Sequence, residues 1–238
     1  MLAALLDLVL PQPCAGCGGP EAWCDACADV LASAARAPLG VTRPEPCPTG
    51  FPLAAAAAAY AGPVRGALIA HKERGRLGLG RPLGRALAAA VACLAVPPEV
   101  VLVPVPSSRQ AVRQRGHDHA LRLARFAAAA LTDAGRPARA QRLLAPVRAL
   151  GDQASLGASG RAANLAGAFR VAPWLTSGLV VVVVDDVVTT GASLVEATRA
   201  LRAAGAAVHG AATVAATMRT SPRWCVDRYR GTPVQQPP

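Results

Sequence analysis

Residues 179–193 have the sequence LVVVVVDDVVTTGAS, and this stretch decides the fold. Its first six residues are apolar and five of them are valine, which is typical of a central parallel strand buried on both faces. We predict that the strand ends at Asp185–Asp186, that a short loop carries Thr189–Gly191, and that a helix begins at Ala192–Ser193. A strand, a loop and a helix in this succession indicate a protein of the α/β class.

Elements on both sides of this stretch repeat the alternation of strands and helices. Further strands are predicted at Val100–Val105 and Ala207–Ala216, and helices at Pro63–His71, Pro82–Leu94, His117–Thr132 and Ala192–Ala204. The run Ala54–Ala59 fits a strand or a helix, because short apolar runs are ambiguous. The pattern as a whole predicts an α/β domain with a mostly parallel sheet.

The length of 238 residues suits one large domain, or a medium domain with a small appendage. Hydrophobic residues make up 53% of the chain, so a core can be buried and disorder throughout is excluded. We predict an N-terminal helix (Met1–Leu10), a cysteine module and a linker (28–50) within residues 1–50, the α/β domain at 51–220, and a flexible tail at 221–238. No apolar stretch reaches the roughly 18 residues that a membrane span needs, and we therefore expect a cytoplasmic protein.

Four of the seven cysteines follow the spacing C-x2-C-x6-C-x2-C: Cys14, Cys17, Cys24 and Cys27. Two such knuckles can bring four thiolates around one tetrahedral Zn²⁺ ion, and with all four positions filled by cysteine the site is structural. A pair of disulfides is the alternative, but a reducing cytosol disfavours it. Cys47, Cys93 and Cys225 lack partner spacing and are predicted to be small hydrophobic residues.

Basic residues give the chain a net charge of +11, and the excess is concentrated in its middle. Arginine supplies 24 of the 25 basic residues, and Lys72 is the one lysine. Between Val103 and Arg170 eleven arginines occur with three aspartates, a surplus of +8. This surplus predicts an anionic partner, either the phosphates of a small ligand or nucleic acid. A solvated basic face that maintains solubility is the alternative interpretation.

The loop and helix start that follow the valine strand predict a phosphate site. Ligands of open α/β sheets bind beyond the carboxyl ends of the strands. Free amides at a helix N-terminus, next to Gly191 and the threonine hydroxyls, suit a phosphate dianion. Asp185 and Asp186 suit the hydroxyls of a sugar or a hard cation such as Mg²⁺. Together these features describe a phosphorylated ribose, whereas an acidic N-cap alone would explain only one of the two aspartates.

The segment Asp185–Ser193 resembles the phosphoribosyl pyrophosphate motif of type I phosphoribosyltransferases. Over roughly residues 10–220 the chain resembles the ComF family of such proteins, whose bacterial members accompany competence and DNA uptake. The resemblance rests on the four-cysteine module, Tyr60–Lys72, Val103–Arg109, Arg115–Gly116, Leu123–Ala124, and Arg148–Phe169 with Gln153, Leu156, Arg161 and Asn164. It implies a type I phosphoribosyltransferase-like fold with a mostly parallel central sheet and a small N-terminal zinc module.

The resemblance also implies roles for individual residues. Asp185, Asp186 and Arg109 form the catalytic set. The substrate-binding set consists of Lys72, Pro104, Val105, Pro106, Ser107, Ser108, Arg115, Val187, Val188, Thr189, Thr190, Gly191, Ala192 and Ser193. Within it, Pro104–Arg109 corresponds to the loop that holds the pyrophosphate of the donor, which arrives with Mg²⁺.

Two segments near this loop are harder to interpret. Arg113 and Arg115 belong either to a mobile flap over the site or to a solvated arginine-rich loop. His117, Asp118 and His119 replace the Phe-Asn-Gln that the resemblance leads us to expect after Arg-Gly. Because residues two apart do not share a helix face, the two histidines are predicted to have surface or packing roles rather than to bind one metal ion.

Two classes of function remain open. The protein is either an enzyme that transfers a phosphoribosyl group to an acceptor that the sequence does not identify, or a non-catalytic accessory factor in DNA uptake. In the second case single-stranded DNA or a competence helicase is the expected partner. Eight scattered aromatic residues are too few for a base-stacking platform of the protein's own.

Overall fold

The structure, a computed structural model, describes residues 12–147, 167–173 and 178–217, and for Arg109 the backbone only. The predicted helix at Met1–Leu10, the tail at 221–238 and Cys225 lie outside the described residues. So do four positions that carry part of the family resemblance: Gln153, Leu156, Arg161 and Asn164.

A six-stranded sheet with the order β1-β2-β8-β7-β3-β4 forms the centre of the molecule. The strands are β1 (Gly40–Thr42), β2 (Ala54–Ala59), β3 (Val100–Pro104), β4 (Ala138–Ala140), β7 (Val180–Val188) and β8 (Ala207–Ala216). Only β1 is antiparallel to its neighbour, so the prediction of a mostly parallel sheet is confirmed. Two short strands, β5 (Leu144–Pro146) and β6 (Phe169–Val171), form a separate antiparallel pair.

Helices cover both faces of this sheet. They are α1 (Asp25–Arg36), α2 (Gly62–Glu73), α3 (Gly80–Ala92), α4 (Arg109–Arg115), α5 (His119–Asp133) and α6 (Ala192–Ala203), with a short 3-10 turn at Leu77–Leu79. Val182 and Val184 of β7 belong to the hydrophobic core shared with α2, α3 and α5, whereas Val181 and Val183 belong to the core shared with α6. The valine run is thus buried on both faces, as the sequence predicts.

The ambiguous run Ala54–Ala59 is a strand, β2, that pairs in parallel with β8. Tertiary pairing overrides the helix propensity of alanine here, because β2 fills the position between β8 and β1. Its first four alanines are fully buried, so small side chains suffice between the layers that cover it.

The prediction of a linker at residues 28–50 is wrong for most of that segment. Residues 28–36 belong to α1, whose Leu31 is buried against the core, and residues 40–42 form β1. The proline content of the segment suggested irregular structure, but Pro38 lies between the two elements, and Pro44, Pro46 and Pro48 come after both have ended. The boundary at residue 50 between two domains remains a prediction.

No helix within the described residues is long and apolar enough to cross a membrane.

Candidate functional site at the carboxyl edge of the sheet

The carboxyl ends of the parallel strands meet at one edge of the sheet, where a cavity of about 320 Å³ opens. Its walls include Tyr60, Lys72, Glu73, Asp185, Asp186 and Thr189. A larger cavity of about 430 Å³ lies at the opposite edge and is walled mainly by the amino ends of β3, β4 and β7. We assign the site to the smaller cavity, because carboxylates, a lysine and the predicted phosphate loop gather there.

Asp185 and Asp186 lie inside β7 rather than at its end, because the strand continues to Val188. Asp185 pairs with Thr213 of β8 in the sheet register. The Asp186 amide donates a hydrogen bond to Asp185 Oδ1 at 2.8 Å, and the Val187 amide donates to Asp186 Oδ1 at 2.9 Å. The predicted strand end is therefore too early, but the two carboxylates still stand at the carboxyl edge of the sheet.

Asp186 is buried and ion-paired. Lys72 Nζ lies 2.7 Å and His119 Nε2 3.4 Å from Asp186 Oδ2. Burial alone would raise the pKa of Asp186, but the contacts with His119 and Lys72 outweigh it and hold that pKa well below its usual range. Burial likewise opposes the charge on Lys72, but the neighbouring carboxylates raise its pKa. The two groups thus form a stable ion pair between α2 and β7.

Asp185 behaves in the opposite way. Burial and the adjacent charge of Asp186 raise its pKa well above its usual range. Two neighbouring carboxyl groups with divergent pKa values are a frequent property of binding and catalytic sites. Of the two aspartates, Asp185 is the one whose oxygens are available to a ligand, because Asp186 is already paired with Lys72 and His119.

The loop after β7 leads directly into the N-terminus of α6. Gly191 is the N-cap residue of this helix and has a φ of 76°. A Cβ atom at Gly191 would lie 2.6 Å from the ring of Phe51, so glycine is required by packing as well as by backbone conformation. The first amides of α6, at Ala192 and Ser193, have no partner within the helix and are free for an anion.

Several predicted binding residues can contribute only backbone atoms. The side chains of Pro104, Val105, Val188 and Ala192 are buried in the protein interior. Val187, by contrast, lines the cavity. The buried apolar residues of the two loops therefore fix the backbone, while Thr189, Asp185 and Asp186 line the cavity.

The loop after β3 runs from Val105 to Ser108, with Pro106 and Ser107 partly exposed. The Val105 amide donates to the carbonyl of Val184 at 2.9 Å, which ties the start of the loop to β7. The Ser108 hydroxyl accepts a hydrogen bond from the Ala111 amide at 3.1 Å and caps α4. Arg109 is the first residue of that helix.

Arg113 and Arg115 lie on α4, so the alternative of a solvated arginine-rich loop is wrong, whereas a flap over the site stays a prediction. Arg115 donates two hydrogen bonds of 2.9 Å to the carboxylate of Glu73. This bidentate pair connects α4 to α2 beside the cavity. Arg113 is exposed to solvent.

His119 is the site residue that sequence reasoning missed. It is 5% exposed and lies between Ser107 Oγ and Asp186 Oδ2, each 3.4 Å from one ring nitrogen. Asp118 caps α5 and thereby places His119 in the first turn, next to the carboxyl edge of the sheet. His117 contacts the backbone carbonyls of His71 and Arg115 instead. The two histidines face different elements, as their spacing predicts, and burial excludes the surface role for His119, while its polar contacts add to the predicted packing role.

Residues 160–235 match the family model of the phosphoribosyl transferase domain. The matched segment is about a third of the chain and includes β7, the loop at Gly191, α6 and β8. No curated protein matches the chain significantly. With the mostly parallel α/β sheet and the four-cysteine cluster at the N-terminus, the match to the phosphoribosyl transferase domain confirms the predicted fold class.

The possible metal ligands at this site do not make a magnesium site by themselves. Single atoms of His119, Asp185 and Asp186 lie within 4.8 Å of one another, close enough to share a metal ion. The Lys72 ammonium, however, already pairs with Asp186, and Mg²⁺ prefers oxygen ligands over imidazole. Mg²⁺ usually binds one or two carboxylates together with substrate phosphates, so these residues fit Mg²⁺ that arrives with a ligand.

The four cysteines of the N-terminal module fit a structural zinc ion. Their Sγ atoms lie within 4.8 Å of one another, and Cys24 Sγ is 3.7 Å from Cys14 Sγ and 3.6 Å from Cys17 Sγ. Tetrahedral Zn–S bonds of about 2.3 Å require S–S separations of about 3.8 Å, which agrees. Burial opposes ionisation of Cys14, but surrounding backbone amides stabilise the thiolate and lower its pKa to about 6.

This module is packed directly on α2. Gly66 has no room for a Cβ atom, because the carbonyl of Ala15 lies against it. Arg76, just after α2, donates hydrogen bonds to the carbonyl of Ala22 at 2.8 Å and to Gln12. Lys72 lies in the last turn of the same helix, so the module and the candidate site both contact α2.

Protein purified under reducing conditions is expected to contain about one zinc ion per chain, measured by elemental analysis. Cys17→Ser removes one of four thiolates and should lower the apparent zinc affinity by at least about a hundredfold in a chelator titration. Cys93→Ser is the matched control and should retain the metal, because Cys93 only packs against the core. A zinc-free preparation of the folded wild-type protein would contradict the assignment.

Proposed function

We propose that this protein binds 5-phosphoribosyl pyrophosphate together with Mg²⁺ and transfers the phosphoribosyl group to an acceptor. The observation that carries the proposal is the juxtaposition, at one sheet edge, of Asp185 in β7, the Gly191 loop at the start of α6 and the serine-containing loop after β3. The match of residues 160–235 to the phosphoribosyl transferase domain supports the same conclusion.

Each part of phosphoribosyl pyrophosphate has a complementary part of the candidate site. The amides of Ala192 and Ser193, with the hydroxyls of Thr189 and Thr190, suit the 5-phosphate. Asp185 suits a ribose hydroxyl, because a carboxyl group can accept a hydrogen bond from it. The loop from Val105 to Ser108 and the basic Arg109 suit the pyrophosphate.

The reaction would need charge neutralisation and positioning rather than a protein nucleophile. As pyrophosphate leaves C1 of the ribose, positive charge develops on the sugar and negative charge on the leaving group. Asp185 and the Lys72–Asp186 pair lie on the side of the cavity where the sugar would bind. Mg²⁺ bound to the pyrophosphate would offset the charge of the leaving group.

Calorimetry with phosphoribosyl pyrophosphate and Mg²⁺ tests this proposal. Asp185→Asn should weaken binding by about tenfold or more, because an NH2 group that only donates replaces one of the two oxygens that can accept hydrogen bonds from the sugar hydroxyls. Asp133→Asn removes the same charge from an exposed position in the last turn of α5 and should leave binding unchanged. Wild-type protein that binds no phosphoribosyl pyrophosphate would overturn the proposal. Release of pyrophosphate in the presence of candidate acceptors then separates transfer from binding alone.

A second candidate function is a non-catalytic accessory role in DNA uptake, as the ComF resemblance implies. Its support is a set of exposed arginines in the basic middle of the chain: Arg113, Arg125, Arg139, Arg142 and Arg170. If these side chains bind single-stranded DNA, the affinity measured by fluorescence anisotropy should fall steeply as salt rises, because bound counterions are released. A competence helicase would be the protein partner.

We propose a cytoplasmic location for either function, since thiolate zinc ligands require reducing conditions.

A further inference from the structure

A chain of buried polar contacts crosses the candidate site and joins four elements. It runs from Ser107 in the loop after β3, through His119 at the start of α5 and Asp186 in β7, to Lys72 in α2. Asp186 and His119 are 6% and 5% exposed, so the central contact is shielded from water.

The direction of each polar contact follows from the geometry at Asp186. Asp186 Oδ2 lies 2.7 Å from the Lys72 ammonium, and Asp186 Oδ1 accepts a hydrogen bond from the Val187 amide, so Asp186 acts as a carboxylate acceptor. His119 Nε2 therefore carries the proton in the contact with Asp186 Oδ2. In a neutral imidazole Nδ1 is then the acceptor, and the Ser107 hydroxyl donates to it.

Ser107 lacks another side-chain anchor in the described part of the chain. The backbone at Val105 is tied to Val184 of β7, and Ser108 is committed to capping α4. Between these two fixed points, the one hydrogen-bond partner of the Ser107 side chain among the described residues is His119. Without the imidazole, the middle of the loop would lose its side-chain contact with the sheet.

We propose that His119 is a positioning residue that links Ser107 to Asp186. This Ser107–His119–Asp186 link, called the tie below, keeps the loop Val105–Ser108 preorganised for the pyrophosphate of the ligand. The tie itself depends only on the contacts described above, whereas its consequence for pyrophosphate rests on the proposed function. A loop that is already ordered loses less conformational entropy when it binds, and affinity rises accordingly.

The tie can be tested without any ligand, by nuclear magnetic resonance of the imidazole nitrogens. Wild-type protein should show His119 with its proton on Nε2, and Ser107→Ala should shift the Nδ1 resonance of His119. His209, exposed at the amino end of β8, should give an unchanged signal and is the internal control. An unshifted His119 Nδ1 resonance in folded Ser107→Ala protein would overturn the tie.

The consequence for the ligand is tested by calorimetry with two probes, magnesium pyrophosphate and ribose 5-phosphate. His119→Ala should weaken pyrophosphate binding by about tenfold and ribose 5-phosphate binding by less than about twofold. His119→Gln should restore pyrophosphate binding, because an amide can donate to Asp186 and accept from Ser107. His209→Gln should bind both probes like the wild type.

A double-mutant cycle separates positioning from general support of the fold. If His119 acts through Ser107, the Ser107→Ala/His119→Ala variant should bind pyrophosphate no more weakly than the weaker single variant. Additive losses, or equal losses for both probes, would overturn the proposal. If the wild type binds neither probe, the proposed function is wrong, and the resonance experiment still decides whether the tie exists.

Discussion

Gly191→Val is expected to weaken binding of phosphoribosyl pyrophosphate by about a hundredfold or more, which corresponds to about 3 kcal/mol. Valine is strained at a φ of 76°, and its side chain would collide with Phe51 and Pro44. Relief of the backbone strain or of the collision would move the backbone amides at the start of α6, where the 5-phosphate is expected to bind. Calorimetry with phosphoribosyl pyrophosphate and Mg²⁺ measures the loss.

Gly135→Val supplies the matched control for backbone strain. Gly135 has a φ of 75° just after α5, and nothing lies within 4 Å of the position that its Cβ would take. Both variants should unfold more easily than the wild type, because each places a β-branched residue in a left-handed conformation. Only Gly191→Val should lose the ligand. Equal binding by the wild type and folded Gly191→Val would contradict the site assignment.

Protonation of His71 should lower the free energy of unfolding by about 3 kcal/mol as the pH falls from 6.5 to 4. His71 is 1% exposed, and its burial, with repulsion from the cationic forms of its neighbours His117, His119 and Arg122, lowers its pKa to about 4. The unfolded chain binds a proton near pH 6.5, whereas the folded protein binds it only near pH 4. The contribution of neutral His71 is therefore complete above pH 6.5 and is lost as the pH falls to 4.

Urea unfolding at pH 7 and pH 4.5 measures this effect. His71→Gln should reduce the difference between the two pH values by about 2 kcal/mol or more, because glutamine does not titrate. His209→Gln removes an exposed histidine and should leave the difference unchanged. The low pKa of Asp186 contributes only below about pH 4, outside this window. The raised pKa of Asp185 acts in the opposite direction, and it is common to the wild type and His71→Gln. A pH difference that is as large in His71→Gln as in the wild type would contradict the assignment.

The parts of the fold that depend on local patterns were predictable. The valine run of β7, the turn at Gly191 and the start of α6 follow one another in the structure as they do in the sequence. Helices α2, α3 and α5 lie within a few residues of their predicted ranges. Each of these elements is decided by hydrophobic periodicity and by residues that start or stop it, which a single sequence displays.

Long-range pairing was not predictable in the same way. Strand β2 is recognisable only through its pairing with β8, about 150 residues later in the chain. Strand β1 is three residues long and lies in a segment whose prolines suggested a linker. The ambiguity of β2 and the missed β1 have one cause, namely that the hydrogen bonds that define these strands involve residues distant in the sequence.

The side-chain contacts of the candidate site could not be predicted from the sequence for the same reason. The adjacent aspartates were recognisable, but not that Lys72 and His119 both contact Asp186 and leave Asp185 as the more available carboxyl group. Lys72, His119 and Asp186 are contributed by three separate elements, so no spacing rule connects them. The signal that could have identified His119 was its position directly after Asp118, a helix-capping residue beside the predicted pyrophosphate loop.

The short strand β1 has a consequence for any shortened form of the protein. It pairs with β2 through Gly40–Thr42 and so occupies the hydrogen-bonding edge of a strand made of six alanines. A chain that began at residue 51 would leave this edge bare, without charged or bulky side chains to block the approach of another strand. Such a chain would be prone to edge-to-edge aggregation during expression, whereas one that retains residues 12–50 keeps its own protective strand.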